Sequence, residues 1–230
     1  MPTMLNRIEK TVTKILVALS NLIPQSWEGE RLIQIVGHRN YIGGGWDKIG
    51  KLQLSFLLEH GLTPSHCFLD IACGSLRGGV HFIDYLEPGN YLGIDKERKL
   101  IELAIEKELG DSMYKNKKPE FVISDRFEFN KFSKKPKFSI AQSLFTHLTP
   151  EDIRLCLGNL RDFVDTGHIL FATFNEGRSA LNRKRSHSIV MLKYSKVEME
   201  AFGQQTGWKA SYIGDWGQPR GQLMMKYETC

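Results

Sequence analysis

The chain has 230 residues, of which 41% are hydrophobic, and a formal net charge of +5 at pH 7. This length and composition fit one large globular domain with a full core, and they exclude a low-complexity chain. The small charge, with acidic and basic residues interspersed, does not by itself call for nucleic acid as a partner. No run reaches the roughly 18 to 20 apolar residues that a membrane-spanning helix needs.

Residues 4–23 are predicted to form an amphipathic helix. One side of this helix carries apolar residues, namely Leu5, Ile8, Val12, Ile15, Leu16, Leu19 and Ile23. The favoured interpretation is that this side packs on the protein's own domain. The alternatives are a partner helix or peripheral contact with a membrane surface.

The next segment, GHRNYIGGGWDKIG at residues 37–50, is too rich in glycine and aromatic residues for a plain linker, and it runs into a helix predicted to begin near Trp46. We interpret it as a lid over a ligand, with His38, Arg39, Tyr41 and Trp46 as candidate contacts. The alternative is an aromatic clamp on the edge of a sheet.

From Cys67 onward, nearly continuous apolar runs alternate with helical patterns. Strands are predicted at 67–72, 91–95, 120–124, 138–143 and 168–174, and helices at 79–86, 97–109 and 151–164. Apolar runs of this kind are typical of parallel strands covered on both faces. The alternation therefore predicts a doubly wound α/β fold.

Local sequence supports two helix starts. In THLTPEDI, Thr149 is a candidate cap and Pro150 takes the first helical position. SKVE at 195–198 reads as a capping box that opens a helix to about Gln205. Two further strands are predicted at 209–215 and 222–228, with the turn DWGQPRG between them, and a helix within 125–137 is doubtful.

The four cysteines are Cys67, Cys73, Cys156 and Cys230. They are too scattered for a zinc knuckle and too few for a disulfide framework, so we expect a reducing, cytoplasmic location and assign no metal site. Cys67 and Cys156 fall in apolar patterns typical of the core. Only Cys73, in a turn, is placed to face a ligand.

The stretch FLDIACGSLRGG at 68–79 joins a strand to a helix through a glycine turn. Small residues here let a ligand approach the backbone at the carboxyl edge of a parallel sheet. Asp95 ends the next strand about 25 residues after Asp70, where a carboxylate can accept hydrogen bonds from both hydroxyls of a ribose. Asp125 ends the third strand, so three successive strands bring an acid to the same edge.

These motifs, with AQSLFTHLTPEDI after the fourth strand, resemble class I S-adenosylmethionine-dependent methyltransferases over about residues 40–230. The resemblance implies a Rossmann-like sheet of seven mostly parallel strands, in which QLMMKYE is the reversed last strand. It divides the chain into an N-terminal helix and lid, 1–45, and a methyltransferase domain, 46–230. It implies S-adenosylmethionine as cofactor, held by Asp70, Ala72, Cys73, Gly74, Arg77, Asp95, Lys96, Asp125, Arg126, Gln142 and Ser143.

The glycine turn departs from the family's D-x-G-x-G-x-G pattern at Ala72 and Leu76. The turn must therefore open wider or place the Leu76 side chain inward, with Gly78 and Gly79 restoring close helix packing. A nicotinamide enzyme is the rival, but it requires G-x-G-x-x-G to bind a pyrophosphate. A sulfonium cofactor has no phosphate and tolerates the looser pattern.

His147, just after the fourth strand, is the candidate base that takes a proton from the acceptor, and a structural histidine is the alternative. His38, Tyr41, Asp215 and Arg220 are candidate substrate contacts. The basic run at 176–188, with Arg178, Arg183, Lys184, Arg185 and His187, is more typical of a solvated loop than of a nucleic-acid site, and it also suits an anionic acceptor.

Gln142 and Ser143 stand where base-amine methyltransferases carry Asn-Pro-Pro-Tyr or Asp-Pro-Pro-Tyr. We therefore expect O-methylation of a hydroxyl on a small molecule or glycan. RNA methylation is the runner-up, and a cofactor-binding relative without turnover is the non-enzymatic alternative.

Overall fold

The computed structural model describes residues 29–177, 186, 188 and 191–229. A seven-stranded sheet forms its centre, in the order β3-β2-β1-β4-β5-β7-β6. The strands are β1 Phe68–Ile71, β2 Tyr91–Asp95, β3 Glu120–Ile123, β4 Phe138–Ala141, β5 Ile169–Phe174, β6 Lys209–Asp215 and β7 Leu223–Glu228. β1 to β5 pair in parallel, and β7 runs antiparallel to both of its neighbours. The predicted fold is confirmed, including the reversed last strand.

Helices cover both faces of the sheet. They are α1 Glu30–Val36, α2 His38–Tyr41, α3 Trp46–Glu59, α4 Gly79–Tyr85, α5 Arg98–Ala104, α6 Gly110–Lys117, α7 Pro150–Phe163 and α8 Lys196–Gln205. A π-helical turn, Ile105–Leu109, joins α5 to α6, and a 3₁₀ turn, Phe129–Lys131, lies between β3 and β4. None of the helices in the described part of the chain is long and apolar enough to cross a membrane.

The side chains of β1 point alternately to the two faces of the sheet, so this strand contributes to both core layers. Leu69 and Ile71 belong to a cluster that includes α7 and α8, whereas Phe68 belongs to a cluster on the opposite face that includes α3 and α4. Successive side chains of a strand point to opposite faces, so one short strand contributes to both layers. The sheet is thus buried on both sides, and its carboxyl edge remains for a site.

Both predicted helix starts are confirmed. The Thr149 side chain accepts a hydrogen bond from the Asp152 amide at the start of α7, and Ser195 and Glu198 form a reciprocal capping box on α8. The helix predicted at 97–109 instead continues through the π turn into α6. The predicted helix at 4–23, the basic residues at 178 and 183–185, and His187 lie outside the described residues.

Candidate functional site

A cleft of about 1420 Å³ lies at the carboxyl ends of the parallel strands. Its walls come from the segments that follow β1, β2, β3, β4 and β5, from the turn between β6 and β7, and from residues 39–49. Parallel strands end at one edge of a sheet, which explains why residues distant in sequence meet here.

The turn after β1 keeps a left-handed backbone at all three positions where the family pattern has glycine. The φ angles are 59° at Ala72, 55° at Gly74 and 63° at Leu76. The Leu76 side chain is fully buried, on the core side of the turn. A Cβ atom at Gly79 would lie 2.6 Å from a Leu76 methyl carbon and 2.6 Å from the Tyr91 hydroxyl oxygen, so the missing side chain at Gly79 gives Leu76 its space.

Two buried carboxyl groups support this turn. Asp70 accepts a hydrogen bond from the Tyr91 hydroxyl at 2.9 Å, and burial raises the pKa of Asp70 to about 7. Asp95 accepts one hydrogen bond from the Gly74 amide and one from the Glu97 amide, both at 2.8 Å. Burial also raises the pKa of Asp95, although these amides oppose the rise. The end of β2 is therefore tied directly to the turn after β1.

Residues 37–46, interpreted from the sequence as a lid, contact this turn, and the name lid is kept for this segment. Arg39 makes two hydrogen bonds to the Glu108 carboxylate, at 2.7 and 2.5 Å, and its guanidinium lies 4.3 Å from the ring centre of Trp46. Arg77 donates to the carbonyl oxygens of Ile42 and Gly44 at 3.1 and 2.9 Å. The lid is thus fastened both to the π turn and to the glycine turn.

A neutral polar cluster lines the cleft beside β4. Gln142 donates to the side-chain oxygens of Ser143 and Gln222 at 2.9 and 2.8 Å. Ser143 and Thr173 also donate to Gln222 Oε1, at 2.9 and 3.1 Å. These hydrogen bonds hold the ends of β4, β5 and β7 together without a charged group.

No family model matches the chain, but solved structures do. The magnesium protoporphyrin IX methyltransferase of Synechocystis PCC 6803 with bound SAH shares 14% identity at a TM-score of 0.62, over 90% of this chain and 98% of that one. The CcbJ methyltransferase of Streptomyces caelestis shares 12% identity at a TM-score of 0.62, over 83% of this chain and 98% of that one. The glycopeptide N-methyltransferase MtfA shares 11% identity at a TM-score of 0.61, over 81% of this chain and 92% of that one. This chain has the S-adenosylmethionine-dependent methyltransferase fold.

Most of the predicted site residues line the cleft of this methyltransferase fold. They are Tyr41, Asp70, Ala72, Cys73, Gly74, Arg77, Asp95, Lys96, Asp125, Gln142, Ser143, His147 and Arg220. Cys73 is nonetheless buried, which raises the pKa of its thiol well above the ordinary value and keeps it protonated. Trp46 and Arg39 line the cleft as well.

Three predicted contacts are not among the lining residues. The His38 ring lies 3.5 Å from Glu108 and edge-on to Trp46, so it belongs to the attachment of the lid. Asp215 accepts a hydrogen bond from the Gly217 amide inside its own turn. Arg126 is exposed beyond β3. Their roles as ligand contacts stay predictions.

Other lining residues were missed from the sequence, including Glu97, Phe127, Asp152, Asn175 and Gln222. Phe127 has a φ of 57°, a strained backbone for an aromatic residue. Glu97 and Asn175 directly follow strand ends, so closer attention to residues one or two past each strand could have found them. Nothing in the local sequence around Phe127 indicates its position.

Proposed function

We propose that this protein is an S-adenosylmethionine-dependent methyltransferase that acts on a hydroxyl of a small molecule or glycan. One observation carries the proposal. The turn after β1 keeps three left-handed residues, at 72, 74 and 76, and is bonded through Gly74 to the acid that ends β2. Strained backbone that persists without glycine is typical of functional sites.

The side chains in the cleft fit this cofactor chemically. Asp95 and Glu97 are suited to its ribose hydroxyls, because a carboxylate oxygen that accepts one amide can accept a second hydrogen bond. Phe127, Leu100 and Ile94 provide apolar surface for its adenine. Asp70 stands on the side expected for the methionine part, where the positive sulfonium and ammonium groups of the bound cofactor would favour its ionised form. Bound S-adenosylmethionine supplies an electrophilic methyl group.

The protein's own contribution would be alignment, shielding and proton removal. The lid residues Tyr41 and Trp46 would exclude water from above. The neutral cluster of Gln142, Ser143 and Gln222 would orient the acceptor by hydrogen bonds. His147 lines the cleft next to this cluster in sequence and would take the hydroxyl proton.

The choice of a hydroxyl rests on two features. The segment after β4 holds Gln142 and Ser143 in place of the sequence expected for a base amine. The names of two solved relatives give a porphyrin and a glycopeptide, so the fold accommodates varied acceptors. The basic residues that would favour RNA lie outside the described part of the chain.

Labelled S-adenosylmethionine incubated with the protein and fractionated cell extract tests the proposal. Label should enter a small molecule or glycan. His147→Ala should lower turnover by about 100-fold or more and leave SAH affinity nearly unchanged. His66→Ala is the matched control, since His66 does not line the cleft.

Calorimetry tests the cofactor separately: SAH should bind and NADH should not. Labelled RNA would favour the runner-up. SAH binding without any labelled product would favour a relative that binds the cofactor without turnover. Equal turnover in the two histidine variants would make His147 a structural residue.

A further inference from the structure

Among the described residues, three arginines line the cleft, namely Arg39, Arg77 and Arg220, and they differ in their partners. Arg39 has a two-point ion pair with Glu108. For Arg77 and Arg220, no carboxylate of the described residues lies within ion-pair distance. Two cations of one cleft that form no ion pair with a described residue call for a physical explanation.

Arg77 is a buried cation, with only 6% of its surface exposed. Its two hydrogen bonds go to neutral carbonyl oxygens, those of Ile42 and Gly44, and its Nε atom has no hydrogen-bond partner among the described residues. Burial, together with the charge of Arg220, lowers the pKa of Arg77 to about 10. A buried charge is costly unless it is paired, and carbonyl oxygens do not neutralise it.

Arg220 reaches the same loop from the turn between β6 and β7. Its guanidinium donates a hydrogen bond to the Gly43 carbonyl oxygen. A Cβ atom at residue 43 would lie 2.8 Å from Arg220 Nη1, and the φ of 87° there also requires glycine. Adjacent carbonyls of the lid therefore hold two like charges close together.

The acidic groups among the described lining residues form no ion pair with these two arginines. Asp70 is the carboxyl group that interacts with Arg77 electrostatically, but it is hydrogen-bonded to Tyr91. Asp95 ends β2 and Asp125 follows β3, whereas Arg220 comes from the opposite half of the sheet. Arg220 thus lies across the cleft from the proposed ribose and adenine contacts, and Arg77 lies between them in the turn after β1.

We propose that Arg77 and Arg220 bind an oxyanion, a carboxylate or phosphate group, of the methyl acceptor. The inference rests on the proposed function and narrows its acceptors to acids. A guanidinium presents paired N–H donors that match the two oxygens of such a group. Arg220 is exposed at the rim and would use the N–H groups that do not bind Gly43, while buried Arg77 supplies a fixed charge behind it.

The test uses thermal unfolding of the full chain with inorganic phosphate or benzoate, against sodium chloride at equal ionic strength. Each titration is run with and without saturating SAH. The variants are Arg220→Gln, Arg220→Lys and, as a control with the same change in charge, Lys115→Gln on exposed α6. Calorimetry with SAH is run on each variant.

At least one of the two anions should raise the unfolding temperature of the wild type and of Lys115→Gln more than chloride does. Arg220→Gln should lower the affinity for that anion about 10-fold or more. Arg220→Lys should retain part of the affinity, because lysine keeps the charge but lacks the paired N–H donors of the guanidinium. SAH affinity should be equal in all four proteins.

Two results would overturn the proposal. If neither anion raises the unfolding temperature of the wild type more than chloride does, or if the rise is equal in Arg220→Gln, the pair does not bind oxyanions. A parallel loss of SAH affinity in Arg220→Gln would assign the pair to the carboxylate of the cofactor itself. Failure of the proposed function is a separate outcome, namely anion binding by a wild type that does not bind SAH.

Discussion

Two opposing effects meet at Leu76. Its left-handed backbone, with φ at 63°, costs about 1–2 kcal/mol for a residue with a Cβ atom. Its side chain is fully buried, which stabilises the fold by about 1.5–3 kcal/mol. Burial outweighs the strain, so the turn keeps the shape of a glycine-rich loop although leucine replaces glycine.

Substitutions at Leu76 can separate the two effects. Leu76→Ala should destabilise the protein by about 2–5 kcal/mol, because it leaves a cavity and keeps the strain. Leu76→Gly should be no less stable than Leu76→Ala, since glycine relieves the left-handed strain. At Leu57, buried in α3, the glycine variant should instead be about 1 kcal/mol less stable than the alanine variant. Urea unfolding measures the stability of all four variants. If glycine is less stable than alanine by the same amount at both positions, the backbone at Leu76 is not strained.

Asp95 supports the turn through the Gly74 amide, and under the proposed function it would also bind the ribose of the cofactor. Asp95→Asn should lower SAH affinity by about 2–3 kcal/mol, because one carboxylate oxygen becomes an amide donor and a charge-assisted acceptor is lost. Asp215→Asn is the matched control, since Asp215 also accepts an amide hydrogen bond but does not line the cleft. Calorimetry gives both affinities. Unchanged SAH affinity in a folded Asp95→Asn protein would exclude the ribose role.

Among the helices, the π turn at 105–109 gives the lid its attachment point. Glu108 lies in this turn, and its side chain is only 6% exposed where it binds Arg39. Short π-helical segments inside helices are frequent at functional sites. The lid helix α2 has only four residues, so its position depends on such contacts and not on intrinsic helix stability.

Glu108→Gln should therefore loosen the lid. Since the Arg39 side chain is half exposed, the closed lid should lose about 1 kcal/mol of stability, or roughly 5-fold in the opening equilibrium. Hydrogen exchange of the amides at 38–46 should accelerate by that factor. Glu128→Gln removes an exposed contact with Lys131 and should leave these amides unchanged. Equal exchange rates in the two variants would mean that the ion pair does not hold the lid.

The strands were predictable because buried parallel strands form continuous apolar runs, and Thr149 with Pro150 marks a helix start by local chemistry alone. The acids at the ends of β1, β2 and β3 were predictable for a topological reason, since parallel strands share a carboxyl edge. Long-range contacts were not. The path after β3 depends on the Ser124 hydroxyl, which accepts from the Arg126 and Glu128 amides, and the ion pair of the lid joins residues 69 positions apart.

For the molecule as a whole, burying acids at the sheet edge ties stability to pH. Asp70 keeps its proton in the folded state up to a pH of about 7, because burial raises its pKa from 3.8. The unfolded chain loses that proton near 3.8. Between these values the folded state binds more protons, so this group makes stability fall as pH rises. His168 acts in the opposite direction, because burial lowers its pKa from 6.5 to about 4.

The difference between wild type and Asp70→Asn isolates the carboxyl group, because the contribution of His168 cancels. Relative to the variant, the wild type should lose about 1 kcal/mol of stability per pH unit between pH 5 and pH 7, with the loss ending above pH 7. Urea unfolding at pH 5, 6, 7 and 8 measures it. Asp125→Asn, at an exposed position, should run parallel to the wild type over this range. A wild type that gains stability relative to Asp70→Asn as pH rises would show that Asp70 is ionised in the folded protein, held as an anion by Tyr91 and the charge of Arg77.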